Sequence, residues 1–191
     1  YKIASRTEDN KSLFDIIQNA LDETLKATTQ LYVLYDNAGK LTLSNIGNMK
    51  LGLVINEDTA GDYDYKSSIA NNTYNKIRLF REGSDPVTVK SSRTIMQWGV
   101  LQYAEKVNDD STNLNNMAAS LLKLYNTKTR TLSVKNVLGD TRVRAGTLLV
   151  VILGLGDMNV SNFMLVESVK HSFKDGQHLM ELKLRGGTFV T

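Results

Sequence analysis

A chain of 191 residues, 41% of them apolar, is long enough for one sizeable domain or two small ones, and this composition excludes a disordered polymer. Its formal charge of +3, with the basic residues spread along the chain, calls for neither nucleic acid nor an acidic membrane as partner. The absence of cysteine excludes disulfides, thiol catalysis and thiolate metal sites, and the apolar runs fall well short of the about 20 residues that a membrane-spanning helix needs.

No signal peptide is visible. The chain opens on Tyr1 without an initiator Met, as expected of a piece of something longer. The first segment, EDNKSLFDIIQNALDETLKAT, reads as a helix. Leu13, Ile16, Ile17, Ala20, Leu21 and Leu25 recur at helical spacing, and Asp9 or Asn10 is the expected cap. In LYVLYDNAGKLTLSN, two β-rich runs flank Asp36-Asn37-Ala38-Gly39, a hairpin in which Gly39 supplies the positive φ. Helix and hairpin together predict a small α+β domain over residues 1–56.

Short strands follow. Tyr63, Tyr65 and Ser67 alternate with Asp64 and Lys66, and YNKIRLFRE, VTV after Asp85-Pro86, and GVLQYAEKV each read as a strand. STNLNNMAASLLKLYN is a second helix, at about 112–126, with Leu114, Met117, Ala118, Leu121, Leu122 and Tyr125 on one stripe and Ser111 or Thr112 as its cap. Strands resume with TRTLSVKNV, TLLVVIL, FMLVESVKHSF and HLMELKLRG, the last two joined by a turn at Asp175-Gly176. The fold class expected is α+β, mainly β: the small helix-plus-hairpin domain, then an antiparallel β-barrel over 57–191 with one packed helix.

The run Leu148–Leu153 has no polar residue to face water. An antiparallel strand apolar on both faces needs a cover outside as well as a core inside. The Leu114–Tyr125 helix, packed on the outside of the barrel, is one expected cover, and another subunit is the alternative. Just before this run, Arg142 and Arg144 are two apart and share one strand face, with Val143 on the other. Gly139-Asp140 before them reads as a turn, and Gly146 after them as a bend or bulge.

Few residues suggest chemistry. His171 and His178 flank the Asp175-Gly176 turn, with Glu167 four residues before His171, a pattern open to a metal pair or an acid/base site. A polar cross-strand face is the commoner meaning, so no metal and no cofactor are expected. Asp62 and Asp64 match a solvated strand face better than a catalytic pair. GLGD at Gly154 lacks the Lys and Ser/Thr of a phosphate loop and reads as a turn. TKTRTLSVK brings Lys128, Arg130 and Lys135 near Tyr125, but one aromatic makes a weak nucleic-acid groove, and no specific nucleic-acid or membrane binding is expected. Met117 and Met180 read as core, and Asn71-Asn72-Thr73 carries no weight as a glycosylation acceptor without a secretory signal.

VKNVLGDTRVRAGTLLVVILGLGD followed by SNFMLVESVKHSFKDGQHLMELKLRGG resembles the end of the XkdQ/YqbQ type of phage-like tail proteins, relatives of the late-control-D baseplate hubs of contractile tails. SLFDIIQNALDETL, LYVLYDNAGKLTLSNI, EDTAGDYDYKSSIANNTYNKIRL and WGVLQYAEKV extend the likeness over most of the chain. The resemblance implies a non-enzymatic structural protein with a tail-tube-like barrel, joining the tail tube protein to the central spike protein beside other baseplate proteins. It also implies assembly in the bacterial host cytoplasm into a phage, a defective prophage particle or a tailocin. Full-length members carry a further barrel ahead of a segment like Tyr1 and form a trimer, so this piece alone is expected to associate weakly. Within that frame Arg142 and Arg144 are either edge-protecting charges or an interface to a neighbouring subunit or the spike. Gly39, Gly139, Gly146 and Gly176 are the structural turns. Two other readings compete: a tail-borne cell-wall module, as murein hydrolase or glycan binder, and a type VI secretion spike relative.

Overall fold

The computed structural model describes residues 1–186 apart from 109, 111, 156–157 and 160–161. In chain order the elements are α1 (Leu13–Thr28), β1 (Tyr32–Asn37), β2 (Lys40–Asn45), a 3-10 turn (Ile46–Met49), β3 (Lys50–Asn56), β4 (Tyr63–Ser68), β5 (Lys76–Phe80), β6 (Val87–Lys90) and α2 (Ser92–Trp98). Then come β7 (Gln102–Lys106), α3 (Leu114–Tyr125), β8 (Thr129–Leu138), β9 (Leu148–Ile152), β10 (Gly154–Leu155), β11 (Met158–Asn159), β12 (Asn162–Lys174) and β13 (Gln177–Gly186). The class is α+β and mainly β, as the sequence pattern predicts.

The elements divide between two compact units, each built from two separate stretches. The first holds Tyr1–Leu31 and Ile69–Thr127; the second holds Tyr32–Ser68 and the chain from Lys128 onward. This corrects the expected division into 1–56 and 57–191. The helix α1 and the β1–β2 hairpin, neighbours in sequence, go to different units, because α1 packs its half-buried stripe against α3, far downstream. Sequence adjacency fixes neither partner.

In the first unit, α1 begins one residue after Ser12, whose hydroxyl accepts from the Asp15 amide at 3.2 Å while the Asp15 carboxylate accepts from the Ser12 amide at 3.2 Å. This reciprocal capping box replaces the expected caps Asp9 and Asn10, because the helix starts at Leu13, the first residue of the apolar pattern, and Ser12 stands directly before it. Leu13, in the first turn, is 77% exposed. Asn113 caps α3 through its side chain, in place of Thr112; Ser111 lies outside the described residues. The α3 stripe packs as its spacing predicts, with Leu114, Ala118 and Leu121 buried against Ile77 and Leu79 of the three-stranded sheet β6-β5-β7. Each such fully buried aliphatic side chain contributes about 1.5–3 kcal/mol. The helix therefore covers this small sheet and not the strand Leu148–Ile152, which belongs to the other unit. The seven-residue α2 buries only Thr94 and is too short to show a stripe in the sequence.

The second unit is a six-stranded sheet in the order β3-β9-β12-β13-β8-β4, curled into a half-barrel whose open edges are β3 and β4. Its neighbours are antiparallel except β3 and β9, which run parallel. Leu149, Val151, Met164, Val166, Leu182 and Leu184 fill the inside of the curl. The answer to the doubly apolar strand is local: Leu148 faces the other way and is fully buried, and the 3-10 turn carrying buried Ile46 packs on β9. Further along, Ile152 is 48% exposed, so this face is covered at one end only. Both expected hairpins form. Ala38-Gly39 (φ 53° and 85°) and Asp175-Gly176 (φ 51° and 74°) are two-residue turns with positive φ at both positions, the type I′ geometry that suits strand twist.

Candidate functional site: the 139–147 loop and its histidines

Arg142 and Arg144 are not on a strand. They lie in the loop joining β8 to β9, which is held by short turns: Val143 N–H donates to the Asp140 carbonyl at 3.1 Å and Thr147 N–H to the Arg144 carbonyl at 3.1 Å. The alternation expected of them survives the loss of the strand. Val143 is 1% exposed, while Arg142 points to solvent. Gly146, at φ 91°, is a turn residue that only glycine adopts readily, and a Cβ there would stand 2.7 Å from Val33 Cγ2.

The two arginines have different partners. Arg142 wraps its own loop, donating from Nε to Asp140 Oδ1 at 3.0 Å and from a terminal nitrogen to Oδ2 at 2.7 Å, with its backbone N–H also on Oδ1 at 2.9 Å. Those hydrogen bonds hold the Asp140 carboxyl down to about 2. Arg144 places its guanidinium 4.9 Å from the centroid of the Tyr35 ring, a cation–π contact with the β1–β2 hairpin. Asp140 is legible as a partner two residues from Arg142, but Tyr35 is more than a hundred residues away and carries no local signal.

Behind the loop, the histidines do meet. His171 Nδ1 and His178 Nε2 are 2.9 Å apart, and His171 Nε2 lies 3.0 Å from the Val143 carbonyl. A carbonyl only accepts, so His171 carries a proton on Nε2; when His171 is neutral its Nδ1 accepts from His178 Nε2. The tautomers follow from this network. The two rings lie with centroids 5.2 Å apart and tilted by 36°. Glu167 does not join them. It sits at a β-bulge between Val166 and Ser168, which breaks the strand alternation, and pairs with Arg185 at 3.1 Å. Among the described residues no cluster of three metal-ligating side chains exists. Phe173 stacks on His178 at 4.1 Å, and Gly139 N–H donates to the His178 carbonyl at 2.8 Å. The arrangement joins β12, β13 and the loop mechanically.

The remaining candidates do not assemble. Asp64 pairs with Lys66 at 3.0 Å on an exposed strand, and the Asp62 carbonyl accepts from Lys135 N–H at 2.9 Å. Tyr125 belongs to one unit and Lys128, Arg130 and Lys135 to the other. Tyr125 packs instead with Tyr74 and Tyr103. Gly156 and Asp157 of GLGD lie outside the described residues. In the first unit a cleft of about 560 Å³ is lined by Arg6, Glu8, Asp22, Glu23, Lys26 and Tyr125. Two of its carboxylates, Glu8 and Glu23, are poorly suited to acid catalysis. Arg6 pairs with both Glu8 and Glu23, and the Lys11 ammonium holds the Glu8 carboxyl below its ordinary value. A glycosidase acid needs the opposite shift.

Comparison with known proteins identifies the chain's relatives. A family model described as YQBQ-like matches residues 1–185. Two proteins of Bacillus subtilis (strain 168), the uncharacterized protein YqbQ and the phage-like element PBSX protein XkdQ, are each 28% identical over 186 residues. The match takes in 92% of this chain and 55% of theirs, so the chain spans about half the length of the curated relatives it matches. Among solved structures, a 43 kDa tail protein of prophage MuSo2 from Shewanella oneidensis superposes with a TM-score of 0.58 at 16% identity, over 87% of this chain and 53% of that one. The prophage tail protein gp18 from Listeria monocytogenes EGD-e gives 0.54 at 16% identity, over 93% and 53%. At these identities the likeness is one of fold.

Proposed function

The chain belongs to the YQBQ-like family, and on that premise we propose that it is a structural component of a phage tail or phage-tail-like particle. The observation that carries the reading is the family match over residues 1–185, backed by a fold shared with prophage tail proteins. In the finer form of the proposal, the chain is part of a baseplate hub that joins the tail tube to the central spike. The full-length protein is then a trimer, contacts other baseplate proteins, and is assembled in the host cytoplasm. The role is non-enzymatic. Support for that comes from the paired carboxylates of the first unit's cleft and from histidines occupied with each other and a backbone carbonyl.

Within this reading the loop 139–147 is a docking element, and the two arginines divide the work. Arg142 is already neutralised by Asp140 and stiffens the loop. Arg144 is the residue offered to a carboxylate on a neighbouring subunit or on the spike, held in place by Tyr35.

The test is direct. Particles are purified from a strain carrying the full-length gene, and the protein is located in them by electron microscopy with a label on this chain. Density at the distal end of the tube, between tube and spike, is expected. Its absence from purified particles would overturn the tail assignment, and its presence elsewhere on the tail would overturn the hub. Reversing Arg144 to Glu should leave the protein folded and reduce spike attachment. If attachment is unchanged, the arginines protect the loop and take no part in docking.

A further inference from the structure

The three-stranded sheet of the first unit has one covered face and one open face. Ile77, Leu79, Val87, Val89 and Tyr103 point towards α3 and the buried cluster it caps. Strand alternation sends their neighbours to the other side. The register shows which residues these are. Lys76 stands opposite Lys90 on β6 and Gln102 on β7, Arg78 opposite Thr88 and Ala104, and Phe80 opposite Lys106. Four basic side chains, Lys76, Arg78, Lys90 and Lys106, therefore share one face. Three of them are exposed and Lys76 is half-buried.

None of the three strands places a carboxylate on that face. Glu105, the acidic residue of β7, lies on the covered side, where it accepts from Tyr103 and Lys26. Beyond the end of β5, Glu82 reaches Lys106 at 3.1 Å, but its side chain is 89% exposed and such pairs are weak. Among the described residues, no ion pair forms to Lys76, Arg78 or Lys90.

The register adds a second observation. Lys76 and Lys90 are directly opposed across antiparallel strands. Like charges in that position destabilise a sheet, and an external anion removes the penalty. The charges stand on a rigid grid, about 5 Å apart across strands and about 7 Å along them.

We infer that this open face is a docking surface for a carboxylate-rich face of another protein. A nucleic acid fits it less well. Single strands bind sheets by stacking bases on aromatic rings, worth about 1–3 kcal/mol per base, and this face offers only Phe80, at the end of its strand. The central positions are Arg78 and Ala104. A guanidinium flanked by two ammonium groups suits carboxylates, which Arg78 can take in bidentate fashion. The surface thus deepens the tail-protein reading by naming the chemistry of one contact, and it rests on that reading only for the setting in which the partner is met.

The experiment uses the isolated chain and so does not depend on the tail assignment. Binding of fluorescent poly-L-glutamate and of a thymidine homopolymer is measured by anisotropy at low and raised salt. Binding of poly-L-glutamate that weakens with salt is expected. Lys76→Glu/Lys90→Glu should weaken it by about tenfold or more, and Lys76→Gln/Lys90→Gln by less. The control, Lys135→Glu/Lys183→Glu, makes the same change in net charge with two exposed lysines of the other unit, and should change the affinity by less than about threefold. Equal losses in both reversals would show a general charge effect and overturn the surface. Tighter binding of the thymidine polymer than of poly-L-glutamate would make this a nucleic-acid face, and no binding of either would refute it. Circular dichroism spectra matching the unsubstituted chain establish that each variant is folded.

Discussion

Gly139 lies so close to the imidazole of His178 that a Cβ built on the glycine would stand 2.0 Å from His178 Cγ. No side chain fits there. The contact brings the end of β8 against β13, where the Gly139 amide also donates to the His178 carbonyl. Replacing Gly139 by Ala forces the ring away and disturbs its hydrogen bond to His171. A loss of about 2–3 kcal/mol is expected, read as a lower thermal midpoint. In a His178→Ala background the same substitution should cost much less. Equal losses in the two backgrounds would mean that the backbone, and not the ring, sets the requirement for glycine.

The ion pair in the loop gives a prediction for acid. The Asp140 carboxyl is held down to about 2 by its hydrogen bonds from Arg142. A depressed carboxyl stabilises the folded form above its unfolded value, near 4, and that contribution disappears as pH falls from about 4 through 2. The Arg142 end of the pair is solvent-exposed while Asp140 is half-buried, so solvent screens the interaction and salt weakens it further. An NMR titration of the Arg142 amide, which donates to Asp140 Oδ1, should show a midpoint near 2. Arg142→Ala should move that midpoint upward, towards the ordinary carboxyl value; an unmoved midpoint would remove the guanidinium as the cause.

Leu121 is fully buried on α3. Leu121→Asp places an unpaired charge among Ile77, Leu79 and the tyrosines, and should destabilise the first unit by about 3–5 kcal/mol. Trp98, the only tryptophan in the sequence, sits in the same unit and reports its unfolding by fluorescence. A midpoint equal to that of the unsubstituted chain would refute the packing of α3 on β5.

Tyr103 gives the alkaline counterpart. Burial first, and then its hydrogen bond to Glu105, push its phenol well above the ordinary value. The neutral phenol is favoured in the folded state, so the contribution is complete below about pH 10 and is lost as pH rises beyond it, where the unfolded chain ionises first. Absorbance titration should show Tyr103 ionising above the ordinary phenol value and together with unfolding. Tyr103→Phe should flatten the alkaline limb of the stability profile. A Tyr103 that ionises near 10 in the folded protein would contradict its burial.

Much of the local structure was legible because it depends on neighbours in sequence. The α3 stripe, the two hairpin turns at Gly39 and Gly176 and the β8, β12 and β13 runs all follow from periodicity or from dipeptides that tolerate positive φ. The caps were misplaced by a few residues because several polar side chains before each helix are equivalent until the first turn is fixed. Gly139-Asp140 and Gly146 read correctly as turn residues, but Arg142, Val143 and Arg144 between them read as a strand because their alternation is the same in a turn. Glu167 was placed beside His171 by counting residues, and the bulge at that point breaks the count.

The sequence by itself determined the two longer helices, most of the strands and the two hairpin turns, and that α3 must bury one face. Only the tertiary structure decided what each face meets. A stripe such as Leu114–Tyr125 demands an apolar partner without saying which, since burial is non-directional, and the fold supplied β5 and β6 instead of β9. The basic face arose in the same way. Lys76, Arg78, Lys90 and Lys106 are scattered among 31 positions and look evenly spread along the chain, yet strand register sets them side by side. Register is a property of paired backbones, set by hydrogen bonds between residues far apart in sequence, so a charge pattern on a sheet exists only after the strands have found one another.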